Sequence, residues 1–225
     1  MHVNLPLRIA VCYTLAILII LLIPCSAFAK EQPLTAKQWF DKGKEYHKQS
    51  DFNNAVSAYT NAIKLDPAYV FAYWERARAY DAIGEYGLAI ADNSKAIQID
   101  PSNPLLYRNR GLNYRHRGQY NLAIEDYSKA IQLNSKYADA YHSRGVAYRL
   151  LHQYELAIAD FSTVLDINPK FAYAYYEKAI AIASLGKHQE AIDLYNTFIE
   201  YATPDDKLIE KAKQQIRELS NKLAQ

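Results

Sequence analysis

Apolar positions along this chain fall in paired helical stripes, and the pairs return every 34 residues. The stretch 104–137 reads PLLYRNRGLNYRHRGQYNLAIEDYSKAIQLNSKY, and 138–171 reads ADAYHSRGVAYRLLHQYELAIADFSTVLDINPKF. Laid one on the other, Gly111 meets Gly145, Tyr114 meets Tyr148, Ala123 meets Ala157 and Tyr127 meets Phe161. The pattern divides the chain into units at 36–69, 70–103, 104–137, 138–171 and 172–205. Two stripes per unit, joined by a short turn, predict two helices per unit. A period of about 34 residues implies a stacked array with no single closed core.

The invariants say how the helices pack. Place eight of each unit is small (Gly43, Ala77, Gly111, Gly145, Ala179), and place eleven is bulky (Tyr46, Tyr80, Tyr114, Tyr148, Ile182). Glycine inside a helix costs about 1 kcal/mol relative to alanine, so its recurrence asks for a neighbour that passes close. Place twenty is alanine throughout: Ala55, Ala89, Ala123, Ala157, Ala191. Place twenty-four is aromatic except at Asn93 (Tyr59, Tyr127, Phe161, Tyr195), and place twenty-seven is Ala62, Ala96, Ala130, Val164 and Phe198. Small residues facing large ones at helical spacing let two antiparallel helices interlock. Gly84, Gly118 and Gly186 fall at the turns, where positive φ ends a helix. Asp66-Pro67, Asp100-Pro101 and Asn168-Pro169 close the second helices, since proline forces its predecessor out of helical geometry.

These landmarks resemble the tetratricopeptide repeat family: small at eight and twenty, aromatic at eleven and twenty-four, small at twenty-seven, proline at thirty-two. The resemblance implies an all-α fold, a right-handed α-solenoid of five helix-turn-helix repeats, and a non-catalytic role in protein–protein interaction. The chain departs from the pattern at Asn93, at Ser135 and Thr203 in place of proline, and at Val164 and Phe198. Residues 206–225 add a last helix with an apolar stripe of Leu208, Ile209, Ala212, Ile216, Leu219 and Leu223. A terminal repeat exposes an apolar face, and a helix with a polar outer side caps it.

The first residues change the expected compartment. Arg8 precedes an apolar run at 9–23, Pro24 breaks it, and Ala27-Phe28-Ala29 offers a small-x-small cleavage site. This is a signal-peptide pattern, with cleavage expected after Ala29. An anchor retained at 9–23 and lipidation at Cys25 are the rivals, though Pro24 is a poor neighbour for a lipidated cysteine. The expected location is therefore exported, periplasmic or secreted, with a polar linker at 30–35. Both cysteines, Cys12 and Cys25, lie in that leader, so the chain after it has no thiol. The whole chain carries 26 basic and 24 acidic residues; without Arg8 the balance is 25 to 24, which selects no partner by net charge.

Catalysis finds no support in the motifs. There is no Gly-x-Ser-x-Gly, no phosphate-cradling glycine loop and no His-Glu-x-x-His. His47, His116, His142, His152 and His188 are scattered at spacings that suit no metal. The expectation is no enzyme, no cofactor and no metal; near-balanced charge and an outward leader also argue against nucleic acid. A recurring pair is structural: Arg76, Arg110 and Arg144 at place seven accompany Asp92, Asp126 and Asp160 at place twenty-three, and both change together in the outer units (Lys42 with Ala58, Lys178 with Leu194). A guanidinium can hold a carboxylate there with two bonds.

Partner binding is assigned by the resemblance to the concave face, through places two, five, nine, twelve and thirteen. Those places are Lys37, Phe40, Lys44, His47 and Lys48; Phe71, Trp74, Arg78 and Asp81; Leu105, Arg108, Leu112, Arg115 and His116; Asp139, His142, Val146 and Arg149; and Tyr173, Tyr176, Ile180 and Ala183. One end is basic with aromatics between the charges, and the far end is aromatic and neutral. Long cations among aromatics suit an extended, partly acidic peptide or protein segment. The clamp that some family members close on a peptide's terminal carboxylate is not matched: of its five places, only Asn109 fits.

Overall fold

The structure, a computed structural model, describes residues 33–225. The leader, and all but the last three residues of the linker, lie outside the described residues. Among these residues there are eleven helices and no strand: α1 Ala36–Lys48, α2 Phe52–Leu65, α3 Val70–Ala82, α4 Tyr86–Ile99, α5 Pro104–His116, α6 Tyr120–Leu133, α7 Ala138–Leu150, α8 Tyr154–Ile167, α9 Ala172–Ser184, α10 His188–Tyr201 and α11 Leu208–Leu223. Each helix packs chiefly on the one before and the one after, with α1/α2, α3/α4, α5/α6, α7/α8 and α9/α10 as the tight pairs. The result is an all-α repeat solenoid.

The glycines show why each pair closes. A Cβ built on Gly43 would stand 2.5 Å from the Tyr59 ring. On Gly111 and Gly145 it would stand 2.7 Å from Tyr127 and Phe161. Each place-twenty-four ring therefore lies flat against the backbone of its own unit's first helix. Ala55, Ala89, Ala123, Ala157 and Ala191 are fully buried beside those contacts, as are Tyr59, Tyr127 and Phe161. Burying one such ring is worth roughly 1.5–3 kcal/mol, so the stack is held by repeated small-on-large contacts.

The turns within units need left-handed backbone. Gly84, Gly118 and Gly186 have φ of 81°, 72° and 77°, and Ser50 and His152 take φ of 58° in the two units without glycine there. Between units, a side-chain device does the work given to proline in the sequence pattern. Oδ1 of Asp66, Asp100, Asn134 and Asn168 accepts from the backbone N–H two residues on, at 3.0–3.1 Å. Ser135 can thus replace proline, because Asn134 makes the turn itself. Thr35 opens α1 with a capping box, its Oγ1 accepting from Gln38 N–H and its own N–H donating to Gln38 Oε1 at 2.8 Å.

The last helix covers the open end. Ala212 and Leu219 are buried, and Leu208, Ile209 and Ile216 pack on the cluster formed by α9 and α10. Leu223 is half exposed. Lys207, Glu210, Lys211, Lys213 and Arg217 face solvent.

Three bolts run through this array. Arg76, Arg110 and Arg144 each hold the aspartate sixteen residues on with two bonds of 2.7–2.8 Å, from Nε and Nη2. Each arginine also donates through Nη1 to a hydroxyl sixteen residues back, on the preceding unit: Thr60, Ser94 and Ser128, at 2.9–3.1 Å. The aspartate side chains are 7–9% exposed and the arginines 16–21%. Bonding to the aspartates raises the pKa of Arg110 and Arg144 against the opposing pull of burial. The fifth unit has Lys178 and Leu194 instead, and Ser162 on the preceding unit turns back to the Ile158 carbonyl.

Candidate functional site

The candidate groove is built on the first helices α1, α3, α5, α7 and α9, whose side chains at places two, five, nine, twelve and thirteen stand side by side on successive units. At its α1 end Lys44 lies over the Phe40 ring, 5.7 Å from the centroid, and Phe40 packs on Tyr59 and Tyr69. Lys37 is exposed and paired with Asp41 at 2.9 Å. On α3, Phe71 is 54% exposed and Trp74 carries Arg78 on its face at 5.3 Å. Arg78 also pairs with Glu75 at 3.0 Å, and Glu75 is itself nearly buried.

The middle of the groove belongs to α5 and α7. Arg108 and Arg115 lie half-buried, and among the described residues neither meets a carboxylate within ion-pair distance. Their Nε atoms are buried without hydrogen-bond partners, as is Trp74 Nε1. Buried donors left unpaired are uncommon and ask for an explanation. Between the arginines lies the Tyr127 hydroxyl, also unpaired; burial pushes its pKa up to about 12 although Arg115 and Arg108 oppose the rise. His116 Nδ1 meets Asp81 Oδ1 at 3.1 Å, and its ring stands edge-on to Tyr86. Arg149 is held by Glu177 at 2.6 Å. Of the four arginines, Arg78 and Arg149 are thus neutralised by the fold, and Arg108 and Arg115 project uncompensated charge.

His142 sits against Phe161 and Phe171 at 5.8 and 5.2 Å. Burial lowers its pKa from the usual 6.5 to about 4, with Arg115, Arg108 and Arg149 adding to the fall and Asp139 opposing it. The folded protein keeps this imidazole neutral, whereas the unfolded chain protonates it below pH 6.5. Stability is therefore complete above about pH 6.5 and drains away as pH falls toward 4, by about 2 kcal/mol at pH 5. His142→Gln should lose that part of the acid slope, measured by urea unfolding of both proteins at pH 7.5 and pH 5; parallel pH dependences would refute it.

The far end differs from the open aromatic face expected there. Tyr176 is buried, packed against Tyr195 at 5.6 Å and Phe198 at 5.1 Å. The cause is Phe198, which fills place twenty-seven where the first three units have alanine, together with α11 closing over the same cluster. Val146 is also buried. Tyr173 stays half exposed and lines a shallow depression of about 290 Å³ with Tyr201 and Asp206. The usable groove therefore runs from Phe40 to Arg149. Among the described residues no cluster of three or more His, Cys, Asp or Glu could hold a metal.

One feature escaped the sequence pattern. A cavity of about 280 Å³ opens between α3 and α5, lined by Ala77, Arg78, Asp81, Asn93, Arg108, Asn109, Leu112 and Asn113, with His47 and Phe52 at its edge. It occupies the position where every other unit places its aromatic ring. Asn93 was the only visible signal.

Comparison with known proteins agrees with this architecture. Two family models described as "Tetratricopeptide repeat" match residues 40–104 and 138–171, and one described as "TPR repeat" matches 111–151. No curated protein sequence matches the chain significantly. Among solved structures, MamA is 27% identical with a TM-score of 0.67, covering 74% of this chain and 91% of its own. YrrB, described as a TPR protein with an unusual peptide-binding site, is 22% identical with a TM-score of 0.64, covering 80% and 92%. PilW, described as a widely conserved type IV pilus biogenesis factor, is 22% identical with a TM-score of 0.69, covering 84% and 91%. At these identities YrrB and PilW speak to the fold alone.

Proposed function

Because the chain belongs to the tetratricopeptide repeat family, whose members mediate protein–protein interaction, we propose that it is a non-catalytic scaffold that docks an extended, partly acidic segment of a partner protein along the groove. One observation carries this reading: Arg108 and Arg115 lie half-buried in mid-groove with no carboxylate of their own. Holding two cations beside each other in a partly dehydrated groove is unfavourable unless an anion joins them. Phe40, Phe71 and Trp74 supply anchors on the same face, so aromatic contacts provide affinity and the arginines steer and fix register.

The compartment follows from the leader. Export with cleavage after Ala29 gives a periplasmic or secreted scaffold. The apolar run at 9–23 also suits a retained anchor, which would make the protein a membrane-tethered assembly scaffold. Lys30 as the first residue of the natural protein supports the former and Met1 or His2 the latter.

The groove itself is tested by site-specific photocrosslinking in whole cells. A photoreactive phenylalanine at Phe71 should capture a partner protein in defined adducts. The same group at Leu122 or Leu156, exposed on the second helices α6 and α8, should not. Equal capture from all three positions would overturn the assignment.

A further inference from the structure

The cavity at Asn93 is a polar specificity pocket. We propose that it receives a carboxamide side chain, glutamine or asparagine, from the docked segment. The inference rests on the groove reading above and adds the chemistry of one partner residue.

Asn93 is 2% exposed and its Oδ1 has no hydrogen-bond partner. The orientation of that amide is set by a relay. Asp81 Oδ1 accepts from Asn113 Nδ2 at 2.7 Å, and Asn113 Oδ1 accepts from Asn93 Nδ2 at 3.0 Å. As a carboxylate Asp81 can only accept, so Asn113 must turn its NH2 toward it. That obliges Asn93 to donate to Asn113 and leaves Asn93 Oδ1 as the free group. Turning either amide would set two acceptors face to face. Asn93 lines the cavity, and its Oδ1 is a buried, unsatisfied acceptor.

The rim presents the opposite. Arg78, Arg108 and Asn109 line the cavity, and Arg108 Nε lacks a partner. An occupant must donate at Asn93 and accept at the rim. A carboxylate satisfies the arginines but turns an oxygen toward Asn93 Oδ1, with Asp81 alongside. An ammonium satisfies Asn93 but offers no acceptor to Arg108 or Asn109 at the rim and meets the uncompensated charge of Arg108. An apolar side chain leaves both ends unpaired, at a cost of about 1–3 kcal/mol for each buried group. A carboxamide meets both demands: its NH2 donates to Asn93 Oδ1 and its oxygen accepts from Arg108 or Asn109. The walls, Ala77 and Leu112, pack on its methylenes.

Panning random twelve-residue peptides displayed on phage against the full chain, Asn93→Tyr and Arg108→Glu/Arg115→Glu tests this. Asn93→Tyr supplies the tyrosine found at this place in three other units and fills the cavity; Ala179, in one buried cluster with Tyr195, shows that alanine at place eight is compatible with that ring. Asn93→Leu keeps the branched outline of asparagine and removes its amide, both the free acceptor and the bond to Asn113, should the tyrosine misfold. The expected result is acidic peptides with glutamine or asparagine at one fixed position on the parent. Both Asn93 variants should keep the acidic preference and lose the amide. Synthetic peptides with glutamine replaced by glutamate or methionine at that position should bind the parent about tenfold more weakly and the Asn93→Leu variant equally. Acidic peptides that need Arg108 and Arg115 but show no amide preference, as for a cavity holding only water, would overturn the pocket and leave the groove standing. No enrichment on the parent would overturn both.

Discussion

Asp126→Ala is expected to lower the unfolding free energy by about 3–5 kcal/mol. The carboxylate is 8% exposed and receives two bonds from Arg110, at 2.7 and 2.8 Å. Its removal strands a guanidinium that is 21% exposed between α5 and α6, with only Ser94 left to accept from it. A buried ion without its partner keeps the full dehydration penalty, which exceeds what the pair contributed when intact. Urea unfolding at pH 7 measures the effect. Glu125→Ala, next in sequence and exposed, is the control and should change stability by no more than about 0.5 kcal/mol. The double variant Arg110→Met/Asp126→Leu should recover most of the loss, because it removes both charges and keeps the volume. A loss under about 1 kcal/mol for Asp126→Ala would mean that the pair is solvated like a surface bridge.

Arg108→Glu/Arg115→Glu should weaken binding of the acidic segment by at least about 100-fold while leaving the melting temperature close to that of the parent. Among the described residues the fold pairs neither arginine with a carboxylate, so their reversal strands no buried partner. Reversal at Arg78 would set a second carboxylate beside the nearly buried Glu75, and reversal at Arg149 would do the same to Glu177; either would confuse binding with folding. Fluorescence anisotropy with a labelled peptide from the panning gives the affinity, and the salt dependence gives a second reading. Affinity of the parent should fall as salt rises, and that of the variant should barely respond. Affinity within threefold of the parent would remove the arginines from the site.

The periodic part of this molecule is legible in its sequence because it is written five times. Glycine at place eight against an aromatic at twenty-four, and arginine at seven with aspartate at twenty-three, repeat often enough to imply contact. The hydroxyls of Thr60, Ser94 and Ser128 also repeat, but small polar residues on a helix are too common to stand out, and their partners lie in the next unit. The resemblance puts Tyr176 in the groove as place five of its unit, but Phe198 at place twenty-seven packs against the ring and draws it inward. The pocket was visible only as a missing ring. One asparagine among aromatics reads as a packing defect until Asn113 and Asp81, twenty and twelve residues away in sequence, are seen to orient it.

The hydroxyl sockets have a further consequence. α4 carries both Asp92, which serves its own unit, and Ser94, which serves the next, and α6 does the same with Asp126 and Ser128. Each bolt therefore couples one unit to its predecessor, and together they chain α2 to α8 without a gap. In a one-dimensional array, stability is the sum of what each unit holds by itself and what each junction adds. Here the bolts lie between the first and fourth units; the junction to the fifth keeps the socket, Ser162, without a bolt arginine, and is crossed by Arg149 of α7 bonding to Glu177 of α9. Coupling is consequently of two kinds along the solenoid: the bolts tie the first four units to one another, and the fifth is tied to the fourth by the Arg149–Glu177 pair and by apolar packing.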